Sequence, residues 1–254
     1  MPVQDLSRLT LTDGSGRLSL PESISIPAGS FVMGTDDGGF DEGPAHRVHV
    51  HAFHLGRFPV TNREYAVHLA AGGAAPPRFW QDERFNRPLQ PVVGVSWFEA
   101  EAYCAWLSHG TGETFRLPTE AEREWAAMGG IPQARYPWGN DEPALTGAWA
   151  AGAAGQDRPV EVSPSQPNGY GLCHMGDNVH EWCSDWWDPA YYGRAPFEDP
   201  RGPSHGARRA SRGGAWRHHL KFSRCAARSS LAPTFRYNDY GFRVASDLAT
   251  RRQT

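Results

Sequence analysis

Apolar and polar residues alternate through SISIPAGSFVMGT, residues 23–35, and the alternation breaks at Pro27-Ala28-Gly29. Period-two patterning interrupted by Pro and Gly predicts a hairpin entering the fold. The stretch HRVHVHAFHLGRFPVT alternates as well, with His49 and His51 on one face and Val48, Val50 and Ala52 on the other. The pattern then turns helical. Thr61 and Glu64, Ser96 and Glu99, and Thr119 and Glu122 each form a hydroxyl-x-x-Glu box ahead of a helical run closed by glycine. In such a box the hydroxyl accepts from an orphan N–H while the carboxylate reaches back, so three short helices are expected. Beyond residue 130 come turns and short strands, in YPWGNDEP, PNGYGL, SRGGAWR and YGFRVA. With no linker and no internal repeat, the chain reads as one α+β domain.

Composition sharpens this picture. In 254 residues there are 28 Gly, 21 Pro and 10 Trp, the signature of many tight turns closed by large aromatic plugs and of little regular structure. Hydrophobic residues make up 39% and mean hydropathy is −0.57, and no apolar run approaches a membrane span. The first residues lack the basic-then-apolar order of a signal peptide. Together with only four cysteines, this leads to the expectation of reduced thiols in a cytoplasmic protein. The net charge of −3 and the two short basic tracts, ARRASRGG and TRRQT, favour solvated surface over nucleic-acid binding. No phosphate loop appears, so neither a nucleotide nor a flavin is expected, and no Ser-His-Asp phrase is present.

Ten phrases occur in a fixed order: IPAGSFVMGT, PVTNREY, PVVGVSWFEAEAYCAWL, RLPTEAEREWAA, YPWGN, NGYGL, DNVHEWCSDWW, SRGGAW, RCAARSS and YGFRVA. The series resembles the formylglycine-generating enzyme family, the sulfatase-modifying-factor domain, over residues 24–246. Residues 1–23 are then a leader and 247–254 a tail. The resemblance implies a compact fold related to C-type lectins. It also implies oxidation of a sulfatase cysteine with oxygen and a copper(I) ion held by two cysteines. Other members resemble the second half of ergothioneine-type sulfoxide synthases, where a separate helical domain holds iron. Still others look like tyrosine-modifying enzymes of siderophore maturation, binding modules or display scaffolds.

The departures matter most. Both copper cysteines of the family fall between the glycine pair and the RCAARSS phrase. Here that interval, Ala215 to Ser223, contains none, and His218 takes the place of the first. Imidazole does not reproduce a linear bis-thiolate, so sulfatase activation by the family's mechanism is not expected. The resemblance also implies two disulfides, but the partners expected for Cys104 and Cys225 are Val244 and Ala127, which leaves two lone buried thiols. A structural calcium is implied at His174, Asp177 and Val179 (both through backbone) and Glu181, although imidazole is a poor calcium ligand.

His180 stands where relatives have a tryptophan near the substrate cleft, so His180 and His218 are candidates to face each other there. With His174, His219 or Asp185 nearby they would make a site for Fe, Cu or Zn. The competing reading makes His218 and His219 ordinary strand residues, one facing the core and one exposed. Cys173 and Cys183 flank the loop either as zinc ligands or as buried thiols, the latter favoured without a C-x-x-C. His49 and His51 read as surface polar groups. Arg228 is expected to anchor a substrate carboxylate, and Arg243 to pair with a buried acid such as Asp185 or Glu181. Trp216, Arg217, Tyr237, Asn238 and Asp239 are expected to line the groove. Two functions follow from these residues. One is a divergent metal-dependent oxidoreductase acting on a small amino-acid-like molecule or a peptide. The other is a non-catalytic ligand- or protein-binding module on the same surface.

Overall fold

The computed structural model describes residues 21–72, 74–141 and 157–247. The expected leader and tail lie almost wholly outside these. Ten strands and three α-helices occur among the described residues, joined by long irregular stretches, as the glycine and proline content implies.

All three capping boxes form. Helix α1 (Asn62–Ala70) is capped by Thr61 with Glu64 reaching back, α2 (Trp97–Thr111) by Ser96 with Glu99, and α3 (Glu120–Ala127) by Thr119 with Glu122. Gly112 ends α2 in the left-handed conformation, at φ 77°, where a Cβ would be strained.

The expected entry hairpin does not form. Strand β1 (Ser23–Ile26) pairs with β4 (Phe53–Gly56), whereas β2 (Gly29–Met33) pairs with β3 (His46–Val50). Pro27 cannot donate to a ladder, and its carbonyl instead accepts from Trp125 Nε1 at 2.9 Å. The chain thus passes from one sheet to another. The first sheet has the order β1-β4-β10-β5, with β5 Phe115–Arg116 and β10 Ala245–Asp247. A further four-stranded sheet carries the candidate site. It contains β6 (His180–Trp186), β7 (Arg209–Arg212), β8 (Arg228–Leu231) and β9 (Tyr240–Phe242) in the order β8-β7-β6-β9. Only β6 and β9 run parallel in it.

Two large apolar clusters form the core. One holds Phe31, Val48, Val50, Leu55, Ala127 and Cys225, and the other Tyr65, Tyr103, Cys104, Trp182, Phe242 and Val244. Cys225 therefore shares a cluster with Ala127, and Cys104 with Val244. All four cysteines are free and buried. Among the described residues no helix is long and apolar enough to cross a membrane.

Candidate functional site

Strand alternation sets the geometry around β6. Successive side chains point to opposite faces, so His180 and Trp182 share one face and Glu181 takes the other. On the first face His180 and Trp182 both pack on Tyr240, each at 5.0 Å between ring centroids. The parallel register His180↔Tyr240 places Asp239 at the mouth of the strand, where its carbonyl accepts from His180 N–H at 2.8 Å.

The turn after β7 brings in the third stretch of chain. Gly214 is required there, because a Cβ would meet the Gly176 carbonyl oxygen at 2.4 Å and Ser223 Oγ at 2.5 Å. This close approach, and the bond from Trp216 N–H to the Asn178 carbonyl at 2.9 Å, swing residues 215–219 back over β6.

His180 Nε2 then lies 2.8 Å from His218 Nδ1, and His218 Nε2 lies 3.2 Å from Asp239 Oδ2. Asp239 also accepts a bidentate pair from Arg217, at 3.0 and 3.1 Å. The three potential ligand atoms of His180, His218 and Asp239 all fall within 4.8 Å of one another. His180 and Asp239 are buried, whereas the His218 side chain is 26% exposed. Burial first, and the neighbouring His218 second, push the His180 pKa down to about 3. His180 is therefore a neutral imidazole at physiological pH. Its Nδ1 is buried without a hydrogen bond of good geometry, with the Gly213 carbonyl the acceptor that bears on it. Burial raises the Asp239 carboxyl, but the hydrogen bond from His218 and the nearby positive charges outweigh it and hold the group below its ordinary value.

The other expected groove residues divide. Trp216 packs against Phe85 and donates to the Asn238 carbonyl at 3.3 Å. Tyr237 is 40% exposed beside Phe235. His219 is exposed and joins no metal-ligand cluster among the described residues. Asp239 is better described as the carboxylate behind His218, a role its sequence neighbourhood did not signal. Phe222 packs on the His218 ring at 5.3 Å. It also lines a cavity of about 870 Å³ together with Trp187, Arg208, Ser229 and Ser230. Ser229 Oγ is 3.2 Å from the Tyr240 hydroxyl, so of the two rings that cover the histidine pair Phe222 lines the cavity and Tyr240 stands one hydrogen bond behind its wall.

Arg228 is a correction. It contributes to the wall of that cavity, but its side chain is buried and its guanidinium donates to both oxygens of Glu120 and to the carbonyls of Asp41 and Asp188. Glu120 also binds Arg212 at 3.0 Å. Arg228 is thus a strut between α3 and β8, with no bidentate face left for a substrate.

The calcium ligands are a second correction. Glu181 is fully buried between Arg123 and Arg243, and both its oxygens accept from them at 2.8–3.0 Å. Burial alone would raise its carboxyl, but the two guanidinium groups reverse this and hold it low. His174 Nε2 accepts from Ser163 N–H at 3.2 Å, and its Nδ1 faces Asp177 at 3.4 Å. Arg123 also takes the Met175 carbonyl at 2.8 Å. Two guanidinium groups therefore take both oxygens of Glu181, leaving it none for a hard cation, and with an imidazole at position 174 this donor set does not fit calcium.

The thiols are no substitute for a copper pair. Cys225 and Cys183 are fully buried, and burial pushes both thiols well above their ordinary range.

An α+β fold with this turn-rich polar face defines a formylglycine-generating-enzyme-like protein. Residues 9–248 match the sulfatase-modifying factor enzyme 1-like domain, and the chain belongs to that family. It is 34% identical to the formylglycine-generating enzyme of Streptomyces coelicolor, covering 88% of each chain. It is 35% identical to the serine/threonine-protein kinase pkn1 of Chlamydia caviae, over 89% of this chain, but spans only 38% of that protein. The hercynine oxygenase of Mycolicibacterium smegmatis is 32% identical over 87% of this chain and 58% of its own length. Among solved structures, Treponema denticola variable protein 1 superposes with a TM-score of 0.75 at 28% identity, covering 89% of this chain and 95% of that one. PvdO from Pseudomonas aeruginosa gives 0.73 at 31%, covering 90% and 95%.

Proposed function

We propose that this protein is a metal-dependent oxidoreductase, with His180, His218 and Asp239 as the metal-binding residues and a small amino-acid-like molecule or a peptide as substrate. The convergence of two imidazoles and one carboxylate from three separate chain stretches carries the reading. Two histidines and a carboxylate are the donor set of non-haem iron oxygenases, and they also suit zinc or copper(II). His180 is already neutral, the form a metal requires. Its Nε2 and His218 Nδ1 now face each other at hydrogen-bonding distance, so binding would turn the more exposed His218 ring and release Arg217 from Asp239. The bound ion would supply redox or Lewis-acid chemistry. The substrate would lie in the cavity lined by Phe222, Ser229 and Trp187, with Tyr240 and Phe222 shielding the histidines from water. Similarity to a hercynine oxygenase supports oxygen-dependent chemistry, and the absent cysteine pair argues against sulfatase activation.

The test is elemental analysis of untagged protein, with wild type compared with the His180→Ala/His218→Ala double variant and with Asp239→Asn. About one equivalent of transition metal in wild type, lost in both variants, is expected. Equal trace metal in all three would sink the proposal. That outcome would favour the binding-module reading, which draws on one observation: both nitrogens of His218 already have protein partners.

A further inference from the structure

We infer that a second, surface metal site is built from His49, His51 and Glu198, suited to a borderline divalent cation such as zinc. These residues form a group whose potential ligand atoms all lie within 4.8 Å of one another, on the far side of β3 from the core valines. Two features distinguish it from a chance cluster of exposed polar groups. First, the backbone is locked. The segment 197–199 lies alongside β3 through a parallel bridge between His49 and Glu198, with His49 N–H donating to Phe197 O at 2.7 Å and Asp199 N–H to His49 O at 2.9 Å.

Second, both imidazoles are oriented. His51 Nδ1 is 2.5 Å from Asp199 Oδ2, while Asp199 Oδ1 accepts from the His51 backbone N–H at 2.9 Å. His49 Nδ1 is 3.0 Å from Ser30 Oγ. Each ring thus spends Nδ1 on a neighbour, and Nε2 is the nitrogen left to coordinate. Metal-binding histidines characteristically hand their other ring nitrogen to a carboxylate or another polar group in this way, which fixes ring and tautomer. The two rings meet edge-on at 5.5 Å, and Phe197 backs His49 at 6.1 Å. Closing around a tetrahedral ion needs ligand atoms about 3.3 Å apart. Rotation of the exposed Glu198 side chain, with small tilts of the two rings about their Nδ1 bonds, provides that. Three protein ligands leave a fourth position open to water or to a donor from another molecule.

The site is tested by calorimetric titration of zinc into untagged, chelator-stripped protein carrying His180→Ala/His218→Ala, so that the central cluster does not contribute. One zinc per chain is expected. Adding His51→Ala or His49→Ala should weaken binding at least tenfold, and adding Asp199→Asn about tenfold through loss of ring orientation. Circular dichroism checks that the variants stay folded. Zinc binding unchanged by His51→Ala, or no binding at all in the background protein, overturns the inference. Either result leaves the reading of the central cluster untouched.

Discussion

Glu181 and Arg243 form a fully buried ion pair, with Glu181 Oε1 2.9 Å from Arg243 Nη2 and Oε2 3.0 Å from Nε. Arg123 completes the arrangement from α3 at 2.8 Å. Removing one charge from such a group strands the others without water, which typically costs ~3–5 kcal/mol. Glu181→Gln should therefore lower unfolding free energy by about that amount in urea titrations, while calcium chelation leaves the wild-type Tm unchanged. A Tm lowered by chelation and restored by calcium would contradict the account.

Arg228 makes the same kind of claim at the other end of α3. Arg228→Ala leaves Glu120 with Arg212 alone and empties the donors to Asp41 and Asp188. A loss of ~3 kcal/mol or more is expected, with metal content of the folded fraction unchanged. Loss of ligand binding at wild-type stability would restore Arg228 to the groove.

The His180 pKa of about 3 gives acid sensitivity a definite sign. In the unfolded chain this imidazole titrates near 6.5, so the native state binds fewer protons between those values. Its contribution to stability is complete above pH ~6.5 and is lost as pH falls towards 3. His180→Phe keeps an aromatic ring on Tyr240 but cannot protonate. The stability difference between pH 7 and pH 4 should therefore shrink in the variant relative to wild type. An equal difference in both proteins would show that His180 is not the group responsible.

Asp185 should do the reverse. Burial first, and the Glu120 charge second, push its pKa from 3.8 to about 7. The native state holds a proton that the unfolded chain has released, so stability falls as pH rises from ~4 to ~7. An amide oxygen can keep accepting from Glu120 N–H and Ser184 Oγ. Asp185→Asn should gain ~1–3 kcal/mol at pH 8 and little at pH 4. A loss at pH 8 would mean that the ionised carboxylate is needed.

His68 is buried among Tyr65, Tyr103 and Trp106, and among the described residues neither ring nitrogen has a hydrogen-bond partner. Burying such a group unpaired costs free energy that an apolar side chain avoids. His68→Leu should raise unfolding free energy by ~1 kcal/mol. Destabilisation would point to a partner for the imidazole.

What the sequence discloses follows the range of the interaction. The helices were legible because a capping box joins residues three apart, and Thr61, Ser96 and Thr119 needed no tertiary partner to be recognised. The entry hairpin was misread because alternation shows that SISI and GSFVM are strands without showing whom they pair with. Arg228 was misassigned for the same reason, since its partner Glu120 lies 108 positions away. Glu181 and Arg123 are 58 apart, and no local pattern links them. The family's phrases make the approach of His180 to His218 a candidate, beside the alternative of two ordinary strand residues, and they do not choose between the two. The place of Asp239 behind them was not legible, because it depends on the parallel register of β9.

The buried arginine–glutamate struts have one further consequence. They fasten α3 to β6, β7 and β8, and β6 to the residue that follows β9, using Glu120, Arg123, Glu181, Arg212, Arg228 and Arg243, none of which is a donor in the histidine cluster. The turn that carries His218 is thereby free to vary in length and chemistry while its two ends stay fixed. A single scaffold of this design can exchange one reactive inventory for another over evolutionary time, and the loss of a cysteine pair at this turn need not have disturbed the fold that presents it.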